Sequence, residues 1–229
     1  MKNIHKEFNN YAHKHLGVSS LKIHNYYNNY ITPNIIEERQ MNVAIMSVYD
    51  RLLMDRLLFL NGPVTSDYMN ILIAQLLFLE SVDAKKDISI LISSPGGSVN
   101  AGFALINTME FISCDVSTTV VGIAASMGSA ILASGTKGKR FGLKNSRVMI
   151  HQISSGNEGS LKDLEISLKE TLRVKQELYE ELSKCTGKTF EQIEHDCDRD
   201  YWMTTQEAIN YGLMDKIISN KSNINKNKK

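Results

Sequence analysis

Apolar positions in the first half of the chain follow two spacings, one typical of helices and one typical of strands. In the first segment they recur at intervals of three and four residues: Met69, Leu72, Ile73, Leu76 and Leu77. Thr65 or Ser66 precedes this segment and can cap the predicted helix. Ile88, Ile90 and Ile92 then occupy every second position, which predicts a strand.

Strands and helices continue to alternate towards the C-terminus. The pattern predicts a helix over residues 100–111, a strand over 116–121 and a short strand over 147–151. A long helix is predicted over residues 161–185, and Gly187 is placed to end it. Strand, crossover helix and strand in this rhythm indicate an α/β domain with largely parallel pairing.

Two polar patterns predict shorter helices after the long one. Thr189 with Gln192, and Thr204 with Glu207, have the spacing of a capping box. Gly212 is placed to end the second of these helices.

The two ends of the chain differ in composition from its body. Residues 1–30 are rich in Asn, His, Lys and Tyr, which indicates an N-terminal extension, peripheral or removable like a propeptide. Residues 219–229 are almost only Asn, Lys and Ser, which predicts a disordered basic tail. One domain is therefore expected over residues 31–218.

Composition removes several classes of function. A formal net charge of +1 gives no overall attraction to nucleic acid or an anionic membrane, and no apolar run is long enough to span a bilayer. The three cysteines, Cys114, Cys185 and Cys197, lack paired spacing. We therefore expect no disulfide framework, no metal site and a reducing compartment.

Ser126 is the first candidate for chemistry. It lies where a predicted strand passes into a helix, within the small-residue segment GIAASMG at 122–128. Small neighbours allow a sharp turn, and a helix N-terminus offers free N–H groups to a developing negative charge. The alternative is a helix-capping serine in a packing contact, and this segment alone leaves both interpretations open.

A nucleophilic serine needs a base, and a histidine at neutral pH can serve. His151 ends an apolar strand, whereas His195 lies on the polar side of a short helix and is interpreted as a surface residue. A hydrogen-bonded histidine at a strand end is the alternative for His151. A carboxylate that orients the imidazole could be Asp196, Asp198 or Asp200.

The segment SPGGS at residues 94–98 follows a predicted strand. Its two glycines can turn backbone N–H groups towards a ligand, as an oxyanion hole requires. A phosphate site is less consistent, because neither Gly-Lys-Ser/Thr nor G-x-G-x-x-G occurs here. A tight turn into a helix is the remaining alternative.

Taken together, the segments of residues 35–218 resemble the ClpP family of ATP-dependent peptidases. The resemblance depends on six segments in order: AQLLFLES (74–81), SPGGSV (94–99), AASMG (124–128), KGKR (137–140), NSRVMIHQ (145–152) and DRDYWM (198–203). It implies an α/β, crotonase-like ββα spiral that forms rings. A strand-and-helix handle would protrude at about residues 152–183.

The resemblance also implies roles in the site. Ser126 would be the nucleophile, His151 the base and Asp200 the orienting aspartate. Backbone N–H groups of Gly97 and Met127 would form the oxyanion hole. The implied reaction is hydrolysis of peptide bonds in unfolded polypeptide, with no cofactor in this chain, since ATP would be used by the partner.

The family implies partners as well. Two stacked heptameric rings are expected, with Arg199 at the ring interface. An AAA+ unfoldase of the ClpX, ClpA or ClpC type would dock on apolar positions, here Leu91, Phe111, Phe141 and Leu143. No nucleic-acid or membrane partner is expected. The implied location is a bacterial cytoplasm, with an organelle as the alternative.

Two rival functions remain. A non-catalytic ring subunit would lack a triad member, whereas Ser126, His151 and Asp200 are all present. An acyl-CoA enzyme of the crotonase superfamily would share the fold and the oxyanion hole, but would not need these three residues together.

Overall fold

The computed structural model describes residues 4–19, 34–39, 42–154, 156 and 158–219. The helices are α1 Ile4–Leu16, α2 Val48–Met54, α3 Ser66–Val82, α4 Val99–Phe111, α5 Met127–Ala133, α6 Leu161–Thr186, α7 Phe190–Asp196 and α8 Thr205–Tyr211. The strands are β1 Asn34–Arg39, β2 Asn42–Ser47, β3 Leu57–Asn61, β4 Ile88–Ser94, β5 Val116–Ala125, β6 Arg140–Leu143, β7 Arg147–Ile150, β8 Tyr201–Thr204 and β9 Lys216–Ile218. None of the helices in these ranges combines the length and the apolar character needed to cross a bilayer.

The main sheet is mostly parallel, which confirms the predicted α/β class. Strands β3, β4, β5, β6 and β9 lie side by side and pair in parallel. Strand β7 also pairs in parallel with β5, and β8 joins β7 in the antiparallel sense. Strands β1 and β2 form a separate antiparallel pair.

Strand β5 is longer than the sequence pattern predicts, because it changes neighbour partway along. Its residues 118–120 pair with β6, and its residues 123–125 pair with β7. The carboxyl end of β5 therefore lies beside the carboxyl end of β7. This change of partner places the residues that follow the two strands next to each other.

The predicted core and helix ends are confirmed, except that the capping box of Thr189 and Gln192 is incomplete, because the Gln192 amide donates to Asp196 instead. Ile88, Ile90 and Ile92 are fully buried in the same core as the apolar face of α3. Thr65 caps α3 by accepting a hydrogen bond from the N–H of Tyr68. The capping box of Thr204 and Glu207 is complete, Thr189 caps α7, and Gly187 and Gly212 end their helices in the left-handed conformation.

Helix α1 packs on the body of the protein. Phe8 and Ala12 are fully buried, and the rings of Phe8 and Tyr11 meet the ring of Phe78 edge-on. The division of the chain at residues 30 and 219 stays a prediction, since residues 20–33 and 220–229 lie outside the described ranges.

A buried ion pair fixes the C-terminal ends of α5 and α6 to the sheet. Arg140 bonds the carboxylate of Asp215 and also donates to the carbonyls of Ala133 and Cys185. Burial by itself raises the pKa of Asp215, but the hydrogen bonds from Arg140 outweigh it and hold that pKa below its usual value. The helix that begins after Ser126 is thereby anchored at its far end.

Helix α6 forms the helical part of the predicted handle. Its C-terminal part is buried through Leu178, Tyr179 and Leu182. Its N-terminal half exposes four large apolar side chains: Leu161, Ile166, Leu168 and Leu172. The predicted handle strand falls within residues 152–160. Residues 155 and 157 lie outside the described ranges, and the other residues of this stretch form no strand.

Candidate active site

Ser126 has an unusual backbone conformation at the junction of β5 and α5. Its φ is 53° and its ψ is −126°, a region that costs a residue other than glycine about 1–3 kcal/mol. It occupies the N-cap position, but its side chain makes no capping hydrogen bond. The capping interpretation therefore does not account for this hydroxyl.

The backbone of Ser126 is held on both sides. Its N–H donates to the carbonyl of Met149 at 2.9 Å. Its carbonyl accepts from the Ser129 hydroxyl at 2.6 Å and from the Ser129 N–H at 2.9 Å. Within the described part of the chain the Ser126 hydroxyl has no hydrogen-bond partner, so the backbone is fixed while the oxygen is left available.

The register of β7 and β8 brings His151 to Asp200. Ile150 pairs with Tyr201 in the antiparallel ladder, so the next residues outward, His151 and Asp200, face each other. The distance from His151 Nδ1 to Asp200 Oδ1 is 3.1 Å. The imidazole is thereby oriented by a carboxylate, as a general base requires.

The other two candidate aspartates have different neighbours. Asp196 accepts hydrogen bonds from the Tyr211 hydroxyl and the Gln192 amide. Burial alone raises the pKa of Asp196, but these bonds outweigh it and lower that pKa. The Asp198 carboxylate lies 3.8 Å from the Arg199 side chain. Of the three aspartates, Asp200 is the one that contacts His151.

Ser126 and His151 line the same cavity. Gly97, Ser129 and Gln152 contribute polar groups to it. Its apolar wall comes from five side chains: Val99, Ile150, Ile153, Leu178 and Leu182. A hydroxyl, an imidazole and an apolar wall therefore meet in one place.

The Gly96–Gly97 turn lies directly against Ser126. Strand β4 ends beside β5, where Ser94 pairs with Ala124. Gly96 has φ +92°, and a Cβ there would lie 2.6 Å from the Ser126 Cβ and 3.0 Å from the Met127 nitrogen. Only glycine allows this approach.

The two predicted oxyanion donors lie at this turn. Gly97 is in the turn itself, and Met127 is the first residue of α5. Among the described residues neither N–H donates a hydrogen bond to another group of the protein. Both are free to stabilise a negative oxygen near Ser126.

The other predicted residues lie away from the cavity. His195 is 84% exposed, which confirms its interpretation as a surface residue. The Arg199 side chain is 89% exposed. Leu91 on β4 and Phe141 on β6 both pair with Thr119 on β5, so the three residues lie side by side across the sheet.

Two further apolar positions were expected to dock a partner. Leu143 lies two residues beyond Phe141 on β6, on the same face of the sheet, whereas Phe111 ends α4 and is 80% exposed.

Phe59 on β3 pairs with Leu91 and so lies next to it on the same face of the sheet, although it was not predicted as a docking residue. Its alternation with Leu57 on β3 was the available signal.

Sequence reasoning also missed Ser129 and Gln152. Ser129 lies one helical turn after Ser126, and Gln152 directly follows His151, so proximity to a candidate was the available signal. Across the described ranges, no three His, Cys, Asp or Glu side chains gather in a group that could hold a metal ion.

Comparison with known proteins gives one consistent family. The Clp protease family model matches residues 39–221. A protein of Porphyromonas gingivalis, called ATP-dependent Clp protease proteolytic subunit, is 53% identical over 215 residues, covering 93% of this chain and 97% of its own. A protein of the same name from Bacteroides fragilis is 47% identical over 218 residues, covering 94% and 99%. The chain belongs to the Clp protease family and is a protease of that family.

Proposed function

We propose that this chain is a serine endopeptidase, the proteolytic subunit of an ATP-dependent Clp protease. Its triad is Ser126, His151 and Asp200. One observation carries the proposal: an uncapped, strained serine shares a cavity with an imidazole that a carboxylate contacts at 3.1 Å. The names of the bacterial relatives support the same activity.

The geometry supports a two-step hydrolysis. The Ser126 oxygen attacks the carbonyl carbon of the scissile peptide while His151 takes the hydroxyl proton. The N–H groups of Gly97 and Met127 hold the oxyanion, and Asp200 stabilises the imidazolium. His151 then protonates the leaving amine, and water hydrolyses the acyl-enzyme by the reverse proton path.

An acyl-CoA enzyme of the crotonase superfamily is the rival, and assays with two substrates separate the two functions. The purified chain should hydrolyse a fluorogenic peptide without nucleotide, because a base-activated serine can attack a peptide carbonyl and the apolar wall can hold a substrate side chain. Turnover of an acyl-CoA thioester should be low, because no Lys or Arg among the described residues lines this cavity to bind the CoA phosphates. Initial rates with both substrates measure this. Thioester turnover without peptide cleavage would contradict the proposal.

We also propose that the chain assembles into two stacked heptameric rings. The exposed apolar residues on the N-terminal half of α6 support this. Leu161, Leu168 and Leu172 recur at helical spacing, and each residue is more than half exposed. Exposed apolar stripes of this kind are typical of interfaces. Arg199, exposed beside Asp200, is the proposed ring-contact residue.

A charge on this stripe tests the assembly. Leu168→Asp should convert a species of fourteen chains into smaller assemblies, because a buried unpaired carboxylate costs several kcal/mol in an apolar interface. Native mass spectrometry measures the change against the 25.8 kDa subunit. Lys169→Asp, one position along the exposed surface of α6, is the control and should keep the wild-type mass. Equal masses for both variants would contradict a handle interface.

The proposed partner is an AAA+ unfoldase of the ClpX, ClpA or ClpC type, which delivers unfolded polypeptide and uses the ATP. The sheet face with Leu91, Phe141 and Leu143, together with Phe111, is the proposed docking surface. The relatives carry "ATP-dependent" in their names and are bacterial, which supports both an ATPase partner and a bacterial cytoplasm.

A further inference from the structure

The proposed orienting aspartate lies on an exposed segment. The Asp200 side chain is 61% exposed, and its contact with His151 is the only side-chain hydrogen bond it makes within the described ranges. Residues 198–200 are exposed, whereas Cys197 before them is fully buried. A single hydrogen bond contributes about 0.5–1.5 kcal/mol, so the contact with His151 does not fix an exposed carboxylate by itself. Its position must come from what holds the segment.

The C-terminal side of this segment is well anchored. Tyr201 pairs with Ile150 in the ladder between β7 and β8. The Tyr201 ring packs edge-on against the ring of Tyr211, with ring centres 5.9 Å apart. The chain just after Asp200 is therefore fixed relative to β7.

The N-terminal side depends on Gln152. Its Nε2 amide donates to the carbonyl of Asp198 at 2.9 Å. Cys197, just before the segment, is held by its burial and by a 2.9 Å bond from its N–H to the Ile193 carbonyl. Among the described residues, the exposed residues 198 and 199 have one other backbone bond on this side, 3.3 Å from the Asp198 N–H to the His195 carbonyl. Gln152, the residue directly after the proposed base His151, is thus bonded to this segment. His151 and Gln152 reach the same segment from consecutive positions.

We infer that Gln152 is a positioning residue, which keeps Asp200 within hydrogen-bonding distance of His151 by holding the Asp198 carbonyl. This inference rests on the proposed triad. Gln152 also lines the cavity, so a direct contact with substrate is the competing role. A positioning residue acts through Asp200, and its effect therefore disappears when the Asp200 carboxylate is absent.

A double-mutant cycle with Gln152→Met and Asp200→Ala tests this. Methionine keeps the length of the side chain and removes its N–H groups. In the wild-type background kcat for a fluorogenic peptide should fall about 5- to 30-fold with KM within about twofold, the effect of losing one or two hydrogen-bond equivalents. In the Asp200→Ala background the same substitution should change kcat by less than about twofold.

The controls separate the possible failures. Gln206→Met, at an exposed glutamine on α8, should behave as wild type, and native mass should be unchanged in every variant. An equal loss in both backgrounds, or a raised KM, would overturn the positioning role. If Ser126→Ala is inactive but Gln152→Met equals wild type, this inference alone fails. If Ser126→Ala stays active, the triad itself fails.

Discussion

Ser126→Ala is expected to lower kcat/KM for a fluorogenic peptide by about 10⁶-fold, the usual cost of removing a triad nucleophile. The attacking oxygen is lost, and the Ser129 hydroxyl, one helical turn away, is already engaged with the backbone carbonyl of residue 126. Assembly should survive. The Ser126 hydroxyl bonds to nothing in the described structure, and the substitution keeps the backbone contact to Met149.

Ser81→Ala is the matched control for this variant. Its hydroxyl donates to the Phe78 carbonyl near the end of α3, outside the cavity, so full activity is expected. Native mass spectrometry of both variants separates loss of chemistry from loss of assembly. Residual hydrolysis above about a thousandth of wild type would show that Ser126 is not the nucleophile, since triad removal costs far more.

His151→Ala should have an effect of similar size, about 10⁶-fold in kcat. Without the imidazole the cavity loses the base proposed to take the hydroxyl proton, and the serine remains a weak nucleophile. Asp200 cannot substitute, because it reaches the site only through His151 Nδ1. Initial rates with the same peptide measure the loss.

The body of the protein has a second histidine, which serves as the control. His195 is exposed on α7 and bonds only the adjacent Asp196 within the described ranges, so His195→Ala should keep the wild-type rate. Equal losses from the two substitutions would indicate a general effect of removing histidine. Retention of activity by His151→Ala would remove the base from the mechanism.

The sequence predicts the layers of this fold well, because local patterns determine them. Alternating Ile88, Ile90 and Ile92 form a buried strand, and Thr65 and Gly187 mark helix ends through local hydrogen bonds and a left-handed turn. Strand pairing is different, since it depends on residues far apart. The change of partner along β5 leaves no local signal, although it places Ser126 beside β7.

The choice of Asp200 shows the same limit at the level of one residue. Asp196, Asp198 and Asp200 are the same residue type at every second position, so the local sequence does not distinguish them. The pairing of Ile150 with Tyr201 places Asp200 opposite His151. The family resemblance pointed to Asp200 because members of one fold family share the same strand pairing, and the aligned segment therefore places this aspartate opposite the histidine. The two interpretations of Ser126 likewise separate only once its φ and its absent cap bond are known.

The N-terminal segment shows why low aliphatic content is weak evidence that a segment stays unpacked. Phe8 and Ala12 are fully buried although α1 contains few aliphatic residues, and Tyr11 completes the contact with Phe78. Aromatic rings carry large apolar areas in few residues. A composition count therefore understates the packing capacity of this helix.

The most direct test of the triad is covalent labelling with diisopropyl fluorophosphate, followed by peptide mass mapping. We expect one adduct per chain on Ser126, formed in step with the loss of peptidase activity, and almost none in His151→Ala, because the base must activate the serine. Complete inactivation with the adduct on another residue, or continued hydrolysis after Ser126 is fully labelled, would contradict the proposed triad.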